Sequence, residues 1–461
     1  MDSRQGWGFM PSPAGARQVA LSVLSKVSQE GAYANLALPA ALSQSGLAQR
    51  ERALVTQLVY GSLRALGELD AVIAKASSRE LEKLEPVVLD ILRLGIYQIL
   101  VLRVPNHAAL DQSARLAKSE GLHRAVGFIN AVLRSVTSHP LEFWQEVIAD
   151  NAETVLSHPR WIANEYREAL GQSDGEGEME LALASHNEPP PVTFVHLPGF
   201  STAAGETEQT RWSPLGSYAP AGDPGKDPRL AQGNIRVQDE GSQLAALMLI
   251  GAKPLVAGEK ILDMCAGPGG KTAVLGATAQ AVGAHVVAYE IAPHRAALVR
   301  TSVLAIAAKD PSSVEVLVGD ACEIDSESGG YDRVLLDAPC SGLGALRRRP
   351  EARWRKSPED IPALVALQGR LLSAALDLVK PGGIVAYVTC SPVIRETTGV
   401  ISAVLDGRSD VVALDSSPIL DSIAREPVAR ARRGTAVQLW SHRHGTDAMF
   451  VQILQRVASP K

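Results

Sequence analysis

The chain has 461 residues, enough for two to four domains, and 46% of them are hydrophobic and 21% charged. This composition is typical of a folded globular protein and excludes an intrinsically disordered one. The net charge of −5 argues against a nucleic-acid binder unless the chain carries a local basic patch.

The cysteines bear on metal binding and redox state. Four are present, far apart and without a CxxC pair: Cys265, Cys322, Cys340 and Cys390. Zinc sites and disulfide frameworks usually have closer spacing, so we expect no metal and free thiols in a reducing, cytoplasmic environment. The first residues lack the apolar core of a signal peptide, and the most apolar window is too short to span a bilayer, so no membrane segment is expected.

Residues 14–150 are predicted to form an all-helical domain. Apolar residues recur at helical spacing over residues 16–27 and continue at 54–59. A third stripe, residues 88–100, follows Pro86, which suits the first turn of a helix. Because this helix is apolar around much of its circumference, it is predicted to be the buried centre of a bundle.

Residues 151–235 are predicted to be a small α+β connector with insertions. Glycine and proline interrupt this part of the chain, as in GQSDGEGE, NEPPP and PAGDPGKDP. The apolar run at residues 192–197 is a candidate strand.

Residues 236–461 are predicted to form an α/β Rossmann-like domain. Short β-rich runs alternate with helical segments, which indicates a mostly parallel sheet wound with helices. The runs are residues 261–264, 285–289, 314–318, 334–336, 384–388, 437–440 and 450–454.

A glycine-rich loop follows the first of these strands. In Asp263-Met-Cys-Ala-Gly-Pro-Gly-Gly-Lys-Thr272, three glycines within four residues let a ligand approach the backbone, and the helix behind them favours polar or anionic groups. Glu290 ends the second strand, where a carboxylate suits a ribose diol. Asp320 ends the third, where it is either a contact to an adenine or a turn residue. Ligands of such sheets bind beyond the carboxyl ends of the strands, where all three motifs lie.

Two other interpretations of this loop stay open. A glycine-rich turn between a strand and a helix can be purely structural. Gly270-Lys271-Thr272 also resembles the end of an ATPase P-loop, although the opening glycine would have to stand at position 265, which is Cys.

Two cysteines lie in loops at the same predicted edge of the sheet. Cys340 is part of Asp337-Ala-Pro-Cys-Ser-Gly-Leu-Gly344, after the fourth strand, and Cys390 is part of Thr389-Cys-Ser-Pro392, after the fifth. A cysteine is more often a buried small hydrophobe than a nucleophile, and we keep that interpretation for Cys265 and Cys322. The turns around Cys340 and Cys390, beside a ligand loop, favour covalent catalysis by a thiolate.

These motifs resemble those of the RsmB/Nop2/Sun family of RNA cytosine-5 methyltransferases. DAPCSG and the later TCS, with CAGPGGKT, VQDEGSQ (residues 237–243) and HGTDAMF (residues 444–450), cover residues 236 to 461. The helical region resembles the NusB-like RNA-binding fold of the bacterial RsmB type in VYGSLR, ILRLGIY and FINAVLR. The resemblance implies methyl transfer from S-adenosyl-L-methionine to carbon 5 of a cytosine in RNA, with small-subunit (16S) ribosomal RNA as the expected partner.

The resemblance also implies a role for each site residue. Cys390 is the nucleophile that adds to carbon 6, Cys340 assists its release, and Lys271 points toward the base. The chemistry adds Asp337 as the candidate for an acid that protonates or hydrogen-bonds ring nitrogen 3, because such an acid stabilises the adduct. The implied S-adenosylmethionine contacts are Cys265, Ala266, Gly267, Pro268, Gly269, Gly270, Lys271, Glu290, Asp320 and Asp337. DNA cytosine-5 enzymes instead use the cysteine of a Pro-Cys motif, here Cys340, so the reverse assignment of the two cysteines stays open.

Positive charge is concentrated directly after Cys340. Residues 343–356 read LGALRRRPEARWRK, in which six basic residues accompany one acidic residue. Arginine forks suit phosphates, and unstacked bases stack on aromatic or guanidinium planes, so Arg347 and Arg348 are predicted to contact RNA. A non-catalytic RNA-binding or ribosome-assembly factor is the alternative class, although such a protein would need neither cysteine.

Overall fold

The structure is a computed structural model that describes residues 15–171, 175–204, 208–220, 222, 224–325 and 330–457. It divides into two compact units, Met1–Ala163 with Leu346–Arg355, and Asn164–Ala345 with Lys356–Lys461. This division differs from the predicted domains in two respects. The connector from residue 164 onward belongs to the second unit, and Leu346–Arg355 of the basic stretch after Cys340 belongs to the first.

The first unit is a helical bundle with one short hairpin, β1 (Thr154–Val155) and β2 (His158–Pro159), before its last helix. Its helices are α1 (Ala16–Gln29), α2 (Ala34–Gln44), α3 (Gln49–Arg64), α4 (Leu66–Ala76), α5 (Pro86–Ile96), α6 (Asn106–Ser119), α7 (Val126–Thr137), α8 (Leu141–Ala149) and α9 (Arg160–Leu170), which continues into the second unit.

Helix α5 is the core of this bundle, as predicted. It begins at Pro86, and its residues Ile91, Leu92 and Leu94 are completely buried. The chain continues as a π-helical turn, Tyr97–Val101. The apolar character of α5 on several sides is explained by its packing against α1, α4, α6 and α7.

The stretch Leu346–Arg355, here called the returning segment, is bound to the bundle by its own charged side chains. Arg353 is fully buried and donates a hydrogen bond to the Arg64 carbonyl oxygen at 3.1 Å. The Glu351 carboxylate accepts the Ala34 N–H at 3.1 Å, at the start of α2. Arg355 donates to three backbone carbonyls just beyond or within the end of α1, those of Val27, Gly31 and Ala32. Part of the basic run therefore donates hydrogen bonds to backbone carbonyls at the ends of helices, a role that the sequence did not indicate.

The second unit begins with the connector. It contains α10 (Gly175–Asn187), β3 (Thr193–His196), β4 (Gly216–Tyr218), α11 (Pro228–Ala231) and β5 (Ile235–Val237). The strands form an antiparallel sheet in the order β4-β3-β5. Strand β3 lies within the candidate strand at residues 192–197.

The rest of this unit is a mixed sheet covered by helices, which confirms the predicted Rossmann-like class. Its elements are α12 (Glu240–Gly251), β6 (Lys260–Asp263), α13 (Gly270–Val282), β7 (His285–Glu290), α14 (Pro293–Ser302), α15 (Leu304–Lys309), β8 (Val314–Val318), β9 (Tyr331–Asp337), α16 (Asp360–Leu378), β10 (Val379–Thr389), α17 (Thr398–Leu405), β11 (Val411–Ala413), α18 (Ser416–Ile423), β12 (Arg432–Arg433), β13 (Ala436–Gln438), α19 (Ser441–His444) and β14 (Phe450–Arg456).

The strand order is β8-β7-β6-β9-β10-β14-β13-β12, with β11 also paired to β14. Strands β8, β7, β6, β9 and β10 run parallel, and β14 is antiparallel to β10. The central strands are apolar on both faces because helices cover both: Val334 to Leu336 on β9 and Val385 to Val388 on β10 are buried. Each of the seven predicted runs overlaps an observed strand.

Helix α16 is long and apolar enough, by length and composition alone, to cross a membrane. Its buried apolar residues include Leu371, Leu372, Ala375 and Leu376, and the helix packs against β9 and β10. Its apolar side chains are thus accounted for by the sheet that it covers.

Candidate active site

The parallel strands bring the predicted site residues to one edge of the sheet. Asp263 ends β6 and is paired with Leu335 on β9, two residues before Asp337. Asp337 in turn ends β9 and is paired with Val388 on β10, two residues before Cys390. The loops that carry these residues therefore leave the sheet side by side.

The glycine loop between β6 and α13 depends on glycine for close packing. A Cβ added at Gly267 would lie 2.3 Å from Oε2 of Glu290, and one at Gly269 would lie 2.6 Å from Cβ of Ser302. Gly269 also has φ of +100°, which side-chain-bearing residues rarely adopt. The backbone of this loop is thus drawn against β7 and α14 by contacts that no larger residue permits.

Glu290 is buried beneath this loop. Its Oε2 accepts the Gly267 N–H at 3.0 Å, and its Oε1 accepts the Ala292 N–H at 3.0 Å. The Arg295 guanidinium lies 3.5 Å from Oε2. The carboxylate is therefore held in one orientation at the end of β7.

Asp320 stands in a different environment at the end of β8. Its side chain is exposed, and Oδ1 accepts the Cys322 N–H at 2.9 Å. Burial and the neighbouring Asp320 carboxylate raise the pKa of the Cys322 thiol, which disfavours its thiolate. Burial likewise raises the pKa of Cys265 in the glycine loop.

Lys271 and Asp337 form an ion pair, with Nζ 2.7 Å from Oδ2. The Lys271 side chain is only 10% exposed. Burial acts to lower the pKa of Lys271, but the Asp337 carboxylate outweighs it, so the pKa is raised and the amine stays charged. Asp263, fully buried, accepts a hydrogen bond from the Thr272 hydroxyl at 2.7 Å, and burial raises its pKa to about 7.

The side chains of Cys340 and Cys390 lie next to each other. Their sulfur atoms are 3.5 Å apart. The Gly344 N–H donates to the Cys390 carbonyl at 2.9 Å, and the Gly344 carbonyl accepts the Ala448 N–H at 2.8 Å. A hydrogen bond with Cys390, burial and the nearby Glu396 carboxylate raise the pKa of the Cys340 thiol.

Two acidic residues that the sequence reasoning missed organise these motifs. Glu396 is fully buried and accepts hydrogen bonds from Ser341 and Ser391, the residues that follow the two cysteines. Asp239 accepts the Asp447 N–H at 3.0 Å and so joins the VQDEGSQ and HGTDAMF motifs. The Cys-Ser pair that occurs in both loops was the available signal for such a residue, because two buried serine hydroxyls in neighbouring loops need a hydrogen-bond acceptor.

The predicted site residues thus fall into four groups. Lys271, Asp337, Cys340 and Cys390 are brought together, and the glycine loop and Glu290 lie along the same edge. Asp320 is at the end of β8, farther along that edge in the strand order. Arg347 and Arg348 belong to the helical unit, where Arg347 is 5% exposed and Arg348 half-buried. Their contact with RNA stays a prediction.

Comparison with known proteins shows the family of the chain. Residues 253–455 match the family model for 16S rRNA methyltransferase RsmB/F, and residues 14–138 match that for the NusB family. The protein named Putative methyltransferase Rv1407 of Mycobacterium tuberculosis is 45% identical over 96% of both chains. Ribosomal RNA small subunit methyltransferase B of Pseudomonas syringae is 31% identical, over 96% of this chain and 97% of its own.

Among solved structures, PH0851 has a TM-score of 0.76 at 21% identity, over 97% of this chain and 100% of its own, which shows a shared fold. The family match favours the methyltransferase interpretation of the glycine loop over the P-loop alternative. The resemblance inferred from the motifs is confirmed: the chain belongs to the 16S rRNA methyltransferase RsmB/F family and carries a NusB-family domain in its N-terminal part.

Proposed function

We propose that this protein transfers a methyl group from S-adenosyl-L-methionine to carbon 5 of a cytosine in small-subunit ribosomal RNA, through a covalent bond between Cys390 and carbon 6. The observation that carries the proposal is the 3.5 Å separation of the Cys340 and Cys390 sulfurs, beside the Lys271–Asp337 ion pair. Two thiols and a paired acid and base at one strand edge suit nucleophilic addition followed by release. The RNA substrate is carried over from the family and from relatives named as small-subunit methyltransferases.

The residues at the strand ends fit S-adenosylmethionine. Glu290, Asp320 and Asp337 offer carboxylate oxygens to a ligand that presents ribose hydroxyls, an adenine amine and an ammonium group, all of them donors. The glycine loop and the start of α13 offer backbone N–H groups to its carboxylate. When bound, this cofactor supplies a methyl group on a positively charged sulfur.

The charges around the two cysteines favour Cys390 as the nucleophile. The interaction with Cys390 is one of the causes that raise the pKa of Lys271, and by the same reciprocity the Lys271 ammonium favours the Cys390 thiolate. Cys340 lies near the Glu396 carboxylate, which disfavours its thiolate. The pair is thus asymmetric, with the more nucleophilic form expected at Cys390.

The steps follow from these assignments. The Cys390 thiolate forms a bond to carbon 6, and the ring electrons move toward carbon 5, which would take the methyl group while the electron pair of the broken methyl–sulfur bond stays with the cofactor's sulfur. The proton of the Lys271–Asp337 pair passes through Asp337 to ring nitrogen 3 as Cys390 adds, and it returns to the pair as the bond to carbon 6 breaks. With the assistance of Cys340, the proton then leaves carbon 5 for water, and the returning electron pair breaks the bond between carbon 6 and Cys390.

The test uses single-cysteine variants with a small-subunit ribosomal RNA transcript. Cys390→Ala should abolish methylation and form no conjugate. Cys340→Ala should form the bond and stall, so that a protein–RNA conjugate dependent on S-adenosylmethionine appears on a denaturing gel. Cys322→Ala is the matched control and should behave as the unaltered protein.

The opposite pattern, a conjugate with Cys390→Ala and none with Cys340→Ala, would reverse the roles of the two cysteines. Full activity in both variants would remove the covalent mechanism altogether. Bisulfite sequencing of the methylated RNA identifies the modified cytosine.

A further inference from the structure

A buried carboxylate lies directly behind the two cysteines. Glu396 belongs to a 3-10 turn after β10, Ile394–Glu396, and its side chain is completely buried. Four donors point at it. Oε1 accepts the Ser341 N–H at 2.7 Å and the Gln368 amide at 3.2 Å, while Oε2 accepts the Ser341 hydroxyl at 2.5 Å and the Ser391 hydroxyl at 2.6 Å.

These contacts connect the two cysteine loops through a single side chain. Ser341 follows Cys340, and Ser391 follows Cys390, so each cysteine has a neighbour fixed to the same carboxylate. The two serine hydroxyls are also 3.2 Å from each other. Gln368 of α16 adds a second anchor, because its amide also donates to the Pro339 carbonyl at 2.8 Å.

Burial of the Glu396 carboxylate costs free energy that packing of the two loops alone does not require. Within the described ranges Glu396 makes no ion pair, so its charge is balanced by hydrogen bonds alone. Burying a carboxylate without a countercharge is expensive, and apolar residues could join two loops at lower cost. A carboxylate can accept all four of these bonds at once, whereas an amide of the same size can accept on one oxygen only.

We propose that Glu396 is the positioning residue of the cysteine pair: it holds the Cys340 and Cys390 loops at the separation that lets Cys340 act on the adduct formed by Cys390. This inference rests on the proposed covalent mechanism. Addition requires Cys390 alone, but release also requires Cys340 to be placed next to the adduct that Cys390 holds. Weakening the hydrogen bonds between Glu396 and the two loops should therefore slow the release of Cys390 from carbon 6 more than its addition.

The inference is tested with Glu396→Gln in the full-length protein. We expect the single-turnover rate at which methylated RNA is released from the protein to fall at least tenfold, since small misplacements of reacting groups cost about that much or more. A conjugate between protein and RNA should accumulate during turnover although both cysteines are present. Binding of S-adenosylhomocysteine should stay within twofold, because the carboxylate does not reach the glycine loop. Glu396→Asp should accumulate less conjugate than Glu396→Gln.

Glu259→Gln is the matched control for a purely structural effect. Glu259 is also buried, pairs with Arg333 at 2.6 Å, and precedes β6, at the opposite end of the strands from the cysteines. Its loss should lower the melting temperature without changing the ratio of conjugate to product. If Glu396→Gln does not fold, Ser341→Ala and Ser391→Ala each remove one anchor and should show the same change in that ratio to a smaller degree.

The outcomes separate the two proposals. If Cys340→Ala forms no conjugate, the proposed function fails first: a conjugate with Cys390→Ala instead reverses the roles of the two cysteines, and full activity of both variants removes the covalent mechanism. If Cys340→Ala traps the conjugate but Glu396→Gln and the serine variants lower addition and release equally, with no accumulation, Glu396 is only a structural residue and the inference is overturned.

Discussion

Glu290 is the residue whose replacement most directly tests the cofactor site. Its two oxygens each accept one backbone N–H, from Gly267 and from Ala292, and each retains a further lone pair for a ligand. Glu290→Gln keeps the volume but removes the charge. We expect it to weaken binding of S-adenosylhomocysteine, because a neutral acceptor replaces a charged one at the ribose.

The size of the effect follows from the bonds involved. A hydrogen bond to a charged group contributes about 1.5–3 kcal/mol and a neutral one about 0.5–1.5 kcal/mol, so the difference of about 1–1.5 kcal/mol corresponds to roughly tenfold in Kd. Glu290→Ala should cost more, up to about a hundredfold. It also leaves the partly buried N–H groups of Gly267 and Ala292 without this acceptor, which should lower the unfolding free energy by at most about 1–3 kcal/mol each.

Titration calorimetry at a temperature well below unfolding measures the affinity for S-adenosylhomocysteine, and thermal unfolding measures the loss of stability. Glu315→Gln, an exposed carboxylate on β8, is the control and should change neither quantity. If both Glu290 variants bind S-adenosylhomocysteine within twofold of the unaltered protein, Glu290 does not contact the ribose, and the cofactor assignment at the end of β7 is wrong.

Three further predictions concern other parts of the chain. Replacing Arg347 and Arg348 by alanine should weaken RNA binding and reduce its salt slope by about 0.7 for each phosphate that the variant no longer neutralises; unchanged affinity across a salt series would exclude a role for these arginines in binding phosphate. Gly344→Ala should lower both the melting temperature and the activity, because its Cβ would lie 2.2 Å from the Ala448 carbonyl oxygen; a normal melting curve would contradict this. Burial acts to raise the pKa of Glu178, but hydrogen bonds from three basic side chains outweigh it and lower the pKa from 4.5 to about 2. The resulting stability is present above pH 4.5 and lost as the pH falls toward 2, so Glu178→Gln should flatten the stability profile in that window, and an unaltered profile would refute the assignment.

The fold could be predicted where local pattern and tertiary packing agree. The runs that became β6 to β10 are short, apolar and bounded by glycine, proline or charged residues, because both faces of these strands are covered. Pro86 marked the start of α5, and the unbroken apolar character of that helix matched its central position. The ends of strands were less certain: β9 and β10 both extend beyond their apolar runs, since edge residues such as Tyr331 pair without being fully buried.

The candidate site could be assembled only in part. Motif order placed Cys340 and Cys390 at one edge, because carboxyl ends of parallel strands converge there, but their 3.5 Å separation depends on loop packing. Glu396 lacked a local pattern, since its partners come from three separate segments of the chain. The basic run was indistinguishable from a solvated surface, because whether an arginine such as Arg353 finds buried carbonyls depends on what packs against it.

The returning segment has a consequence for the order in which the chain can fold during synthesis. The carbonyls of Val27, Gly31 and Ala32, at the end of α1, accept hydrogen bonds from Arg355, which is synthesised 323 to 328 residues later. The N-terminal bundle leaves the ribosome long before that, so its native form is completed only after most of the second unit has been translated. A recombinant fragment that ends near residue 163 would lack this segment. A chimaera that takes its helical bundle from another protein of the family should take the segment equivalent to residues 346–355 from the same protein.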